Sequence, residues 1–211
     1  MNQKETAIRH AASIGKKYED LNLVVAHIGG GLSVAAHRKG RMIDGNDIVG
    51  GEGPFAPTRA GSLPSVDLVR LCFSGKYTEK QLIEKFMKNG GFVDHLNTAD
   101  MLEVHKNIDA GDKYAELIYK AFIYQIIKYI GSMAAVLKGK VDGILLGGGI
   151  VNDKQLVAAI NEACSFIAPV SAYPGEFEME AMASGALRVL QGKEKTKVYS
   201  GKPVWQGFNF K

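Results

Sequence analysis

Apolar positions follow two rhythms along the chain, separated by clusters of glycine. LNLVVAHI (21–28) is a nearly continuous apolar run, as expected of a strand buried on both faces. LSVAAHR (32–38) has the same strand character, and Lys39-Gly40 offers a tight turn into RMIDGND. A polar helix over 3–18 is predicted ahead of this hairpin or meander. Residues 50–64, GGEGPFAPTRAGSLP, are too rich in Gly and Pro for regular structure, and a long irregular stretch inside a compact domain is usually functional.

The rhythm then becomes helical. Ser65 can cap a helix over 66–73. Thr78 with Gln81 makes a capping box for a helix reaching about 89, ended by Gly90-Gly91. Another helix begins near 98. The longest runs over about 113–137, where Ala115, Ile118, Phe122, Ile126, Ile130, Met133 and Leu137 recur three or four apart on one face. VDGILLGGGIVND (141–153) reads as a strand, a triple-glycine turn and a helix start capped by Asn152 or Asp153. A strand over 167–174 and a helix over 176–190 follow, and then a polar tail over 193–211 that is expected outside the core. Strands, then helices, then βαβα predict a mixed α/β domain. Its sheet has five or so strands, with helices on both faces and a right-handed crossover at the end.

Composition narrows this picture only slightly. With 211 residues, 46% hydrophobic and 23% charged, the chain suits one well-cored soluble domain. A net charge of +4 with both signs interspersed is compatible with anionic ligands but gives no basic stripe for nucleic acid. Glu116, Lys120, Gln125 and Lys128 interrupt the most apolar long stretch, 114–137, so no membrane span is expected. The N-terminus lacks the apolar region of a signal peptide. Cys72 and Cys164 both lie in apolar runs and are expected in the core, and a reducing cytoplasm is the default. His37, His95 and His105 show no ligand spacing and are expected at the surface.

Two glycine clusters could hold a nucleotide. His27 is followed by Gly29, Gly30 and Gly31 between two strands. A bare hairpin needs about two turn residues, whereas consecutive glycines let several N–H groups approach an anion. Gly147, Gly148 and Gly149 stand between a buried strand and a helix, where α/β proteins bind phosphate or adenosine. This second cluster is neither GxGxxG nor a P-loop.

Residues 22–64 closely resemble the phosphate-binding segment of butyrate kinases and, more distantly, acetate kinases. DGILLGGGIVND resembles the adenosine motif of the same acetokinase family, and YPGEFEMEAMASGALRVL its closing helix. The resemblance spans nearly all of 2–192. It implies an actin-like, ribonuclease H-like ATPase domain, namely the C-terminal nucleotide-binding half of an acyl kinase without the N-terminal half. The implied reaction is ATP plus a short-chain carboxylate giving ADP plus an acyl phosphate, with Mg²⁺, in a homo-oligomer. Butyrate is the implied acceptor. Acetate, propionate and branched-chain acids are the alternatives, as is a non-catalytic nucleotide-binding or assembly module. Half a cleft would leave the phosphates in water, so little or no turnover is expected of this chain alone.

The same resemblance implies roles residue by residue. Arg59 matches the catalytic arginine and His27 the phosphate-contacting histidine, with Gly29, Gly30 and Gly31 giving N–H groups to phosphate. Gly147, Gly148, Gly149 and Ile150 would line the adenosine pocket. Asp100 matches an acidic residue near the adenine, although it could equally cap its own helix. Glu176 and Glu178 are the matches for a Mg²⁺-holding glutamate, although acidic residues also suit a helix N-terminus. Glu52 is a possible supporting residue.

Overall fold

The computed structural model describes residues 2–196 and 198–202. Among these residues, five strands form one mixed sheet, accompanied by eight α-helices. In chain order these are α1 (Asn2–Ser13), β1 (Asn22–Ile28), β2 (Leu32–Arg38), β3 (Arg41–Gly45), α2 (Ser65–Cys72), α3 (Glu79–Met87), α4 (Phe92–Leu96), α5 (Met101–Asp109), α6 (Lys113–Val136), β4 (Gly143–Gly148), α7 (Lys154–Cys164), β5 (Val170–Pro174) and α8 (Glu178–Leu190). The strand order is β3-β2-β1-β4-β5. The first three strands are an antiparallel meander, and β4 and β5 run parallel to β1, linked through α7.

Why 21–28 reads as a continuous apolar run is visible in its parity. Val24, Ala26 and Ile28 belong to the large core under α6 and α7, while Leu23 and Val25 pack with Ala7 and Ala11 of α1. Successive side chains of a strand point to opposite faces, so a strand covered on both sides is apolar at every position. β4 does the same: Ile144 and Leu146 face the α6 side and Leu145 the α1 side. α6 presents Ile118, Phe122, Ile126, Ile130 and Met133 to the larger core. α8 packs beside α1 through Ala181 and a polar cluster. Ser184 and Arg9 both donate to the buried Glu5 carboxylate, at 2.7 and 3.0 Å. Burial pushes the Glu5 pKa up, but these donors and the nearby Arg188 outweigh it and hold it low.

Several expectations need correction. Ser65 is the first helical residue of α2 rather than its cap; Pro64 occupies the cap position without a side-chain bond. α2 buries none of its residues, so Cys72 is exposed, and only Cys164 is a core thiol. An apolar run at helical spacing shows which face could be buried, not whether a partner covers it. His37 is fully buried, with Nδ1 2.7 Å from the Tyr18 hydroxyl, because it points into the α1 side of the sheet. His105 is largely buried as well, while His95 is exposed. α3 stops at Met87, and a short α4 appears that the pattern did not predict. The last helix starts at Glu178, which leaves Glu176 in the segment before it. The tail touches the domain at Glu194, which pairs with Lys4 and Arg188. Lys197 and residues 203–211 of the tail lie outside the described residues. The Thr78–Gln81 capping box forms as expected.

Candidate functional site

Because β1 and β4 are parallel neighbours, with His27 opposite Gly147, both glycine clusters emerge at the same edge of the sheet. β5 ends there too, and Gly175 bridges back to Gly148 just ahead of Glu176. Ligands of open α/β sheets sit in such a crevice at the carboxyl ends of strands. Gly147 and Gly148 prove to be the last two residues of β4, and Gly149 opens a 3₁₀ turn through Asn152. At Gly148 the backbone has φ +104°, and a side-chain carbon would lie 2.7 Å from the Ile28 carbonyl carbon. Only glycine lets the end of β4 pass this close to β1. Gly30 and Gly149 are exposed, with open space where a side-chain carbon would stand.

The 50–64 loop lacks helix and strand but is densely bonded. Ala56 and Arg59 exchange backbone hydrogen bonds of 2.9 and 3.3 Å around a turn at Pro57-Thr58. Ala60 donates to Phe86, and Gly90 and Val93 donate to Thr58 and Pro57. Gly91 has φ +59°, and a side chain there would lie 2.8 Å from the Arg59 carbonyl oxygen. The Gly90-Gly91 pair therefore serves close approach to this loop and leads into α4 rather than ending α3, which is capped at Lys88. From α6, Gln125 accepts from the Phe55 N–H at 2.9 Å, Tyr129 bonds Ser62 at 3.1 Å, and Phe122 packs on Phe55. Spaced three and four apart, these three residues hold the loop on one helical face.

This anchoring delivers Arg59 to the first glycine cluster. Its Nη1 donates to the Ile48 carbonyl at 2.8 Å, and the guanidinium lies against Gly31. Thr58 donates to the Gly30 carbonyl at 3.2 Å. His27 has the parity of Leu23 and Val25 and so faces α1, where Asn2 lies 3.2 Å from its Nδ1. Burial pushes the His27 pKa down, and the nearby Glu178 and Glu176 carboxylates only partly oppose this. Both glutamates are exposed and lie close enough to His27 for their field to be felt there.

Other sequence expectations fare differently. Asp100 caps α5, accepting from Leu102 N–H at 2.9 Å, and among the described residues no hydrogen bond joins it to the 147–150 segment. Glu52 accepts from the Asp47 N–H at 2.8 Å and braces the loop rather than entering the site. Asp153, rather than Asn152, caps α7. It also accepts from Tyr119 and His105, both at 2.7 Å, tying α5 and α6 to the end of the 3₁₀ turn. Sequence reasoning missed Asn2, Asn46, Gln125 and Tyr129. Asn46 accepts from Val34 N–H at 2.7 Å and donates to Leu32, which fastens the loop to β2. Only Gln125 left a usable trace, as a lone uncharged polar residue within an apolar helix face.

Sheet order, helical layers and the shared strand edge define the class: a mixed α/β domain of the actin-like fold. More narrowly, the chain belongs to the acetokinase family, whose pattern matches residues 4–168. A probable butyrate kinase of Clostridium botulinum (strain Eklund 17B) is 53% identical over 199 residues, covering 94% of this chain and 56% of that protein. Butyrate kinase 1 of Clostridium acetobutylicum is 51% identical over the same shares. The crystal structure of Porphyromonas gingivalis acetate kinase superposes with a TM-score of 0.83 at 22% identity, covering 90% of this chain and 54% of that one. The chain thus spans a little over half the length of the curated relatives it matches.

Proposed function

We propose that this chain is the nucleotide-binding half of a butyrate-kinase-type phosphotransferase, acting on ATP and a short-chain carboxylate, with butanoate the acceptor. The observation that carries the reading is the convergence of His27, Gly29–Gly31 and Arg59 at one sheet edge, beside the Gly147–Ile150 segment. A carboxylate is ionised at neutral pH, so the nucleophile needs no general base. The carboxylate oxygen forms a bond to the γ-phosphorus, the bond from that phosphorus to the bridging oxygen breaks, and ADP leaves with the oxygen. The protein's task is to bring two anions together and spread the phosphoryl charge.

Arg59 suits the equatorial phosphoryl oxygens because its guanidinium is planar and permanently charged. His27 contributes a hydrogen-bond donor, and the Gly29–Gly31 loop offers backbone N–H groups to the phosphates through Gly30 and Gly31, since the Gly29 N–H donates to the Gly31 carbonyl at 3.1 Å. Gly147, Gly148, Gly149 and Ile150 form the adenosine wall, with Asp100 on the neighbouring helix α5. Glu176 and Glu178 fit a Mg²⁺ site, since this ion is usually held by one or two carboxylates together with waters and substrate phosphates. When bound, the ion neutralises phosphate charge. Cytoplasmic location and self-association belong to the same reading.

Calorimetric titration of Mg·ADP tests the nucleotide role first. A complementing segment covering the rest of a relative's length is then added, and butyryl, acetyl and propionyl phosphate formation are assayed. ADP binding, with butyrate turnover only in the complemented mixture, is the expected result. R59A should lower that turnover by about 10²-fold or more while leaving ADP affinity within a few fold. Absence of ADP binding and of turnover in the mixture would sink the proposal.

A further inference from the structure

We infer that Asn2 is a positioning residue that holds His27 in the tautomer carrying its proton on Nε2, so that the ring presents a donor to the Gly29–Gly31 loop. The contact is Asn2 Nδ2 to His27 Nδ1, at 3.2 Å. A carboxamide nitrogen only donates, so Nδ1 must accept and the single ring proton is left on Nε2. At the other end of the carboxamide, Asn2 Oδ1 lies 3.4 Å from Thr6 Oγ1, whose single proton goes to the nearer Asn2 backbone carbonyl at 3.1 Å. Asn2 and Thr6 are buried, at 8% and 2% exposure, so water does not compete freely for these groups. On the far side of the ring, Nε2 points at the loop, 3.3 Å from where a side-chain carbon on Gly29 would stand.

The tautomer matters for the neutral ring, the form that burial favours. Burial lowers the His27 pKa, and the facing charges are Glu178 and Glu176, which oppose that shift without cancelling it. A neutral imidazole has one proton to place. On Nδ1 it would face α1; on Nε2 it faces the loop. The consequence for phosphate rests on the proposed role of His27.

The test is a long-range ¹H–¹⁵N correlation spectrum of the ¹⁵N-labelled chain at pH 7, with the His27 ring assigned by H27Q. The expected pattern is a protonated Nε2 and an unprotonated Nδ1. N2D replaces a donor with a carboxylate that can only accept, and should move the proton to Nδ1 or leave the ring doubly protonated. A merely structural Asn2 would change the melting temperature without moving the proton. A wild-type ring protonated on Nδ1 overturns the inference, and so does an N2D ring of unchanged tautomer. The wild-type spectrum decides even if N2D fails to fold. Adding Mg·ADP with inorganic phosphate then tests the phosphate role separately. A shift of the Nε2 proton is expected, and its absence would overturn that role of His27 while the tautomer assignment stands on the first spectrum.

Discussion

The guanidinium of Arg59 lies directly against the backbone of Gly31: a side-chain carbon at Gly31 would stand 3.0 Å from Nη1 and 3.1 Å from Cζ. Twenty-eight positions apart in sequence, the two residues meet because the 50–64 loop folds back over the β1–β2 turn. G31A should therefore displace Arg59 without straining its own backbone, since Gly31 does not have positive φ. We expect G31A to cost about 1–3 kcal/mol of stability, as overpacking does, and complemented turnover to fall because the Arg59 guanidinium is displaced. G30A meets open space, and its stability should stay within about 0.5 kcal/mol of wild type. Urea unfolding of the two variants side by side checks this; equal midpoints would refute the packing argument.

Gly148 makes a stronger demand. G148A combines φ +104° with a clash against the Ile28 carbonyl, a backbone group that cannot swing away. The expected loss is about 3 kcal/mol or more, with reduced ADP binding because β4 no longer passes close to β1. G149A should be mild, because nothing lies within 4 Å of its added carbon. Comparable stability of the two variants in chemical denaturation would contradict this assignment.

Gln125 should matter through one acceptor atom. Q125L leaves the Phe55 N–H without its 2.9 Å partner in a largely buried place, at a cost of about 1–3 kcal/mol. Q125E keeps an oxygen at the same reach and should recover most of it. Hydrogen exchange at the Phe55 amide reads the bond directly: fast in Q125L, slow in wild type and Q125E. Slow exchange in Q125L would show that the loop is held by other contacts.

The Tyr18–His37 pair should give stability a pH dependence at both ends. Burial pushes His37 down to about 4 from 6.5. A lowered pKa contributes stability that is present above 6.5 and lost as pH falls through about 4, on the order of 3 kcal/mol in total. Burial and the nearby Glu19 push Tyr18 up to about 12 from 10.0. A raised pKa contributes stability present below 10 and lost as pH rises through about 12. Urea midpoints from pH 4 to 8 for wild type and H37F should separate, with the wild-type acid loss reduced in the variant. Parallel curves would rule out His37 as the source.

Much of the layout was legible in the sequence for physical reasons. Burial on two faces requires apolar residues at every strand position, so 21–28 announced itself. The Thr78–Gln81 box and the 113–137 periodicity are local, and local bonding decided them. The glycine clusters and Arg59 were legible as chemistry, because close backbone approach and a fixed positive charge each need a particular residue type. Tertiary structure alone decided what depends on a partner distant in the chain. The same kind of apolar run left Cys72 exposed and Cys164 buried, because α2 is uncovered and α7 lies on the sheet. His37 and Asn2 gained their roles from Tyr18 and His27, which no spacing rule connects to them. Gln125 became a loop anchor only once α6 was laid against residues 53–62. Periodicity reports which side of an element is apolar, while the identity of the group that meets each side is settled by packing.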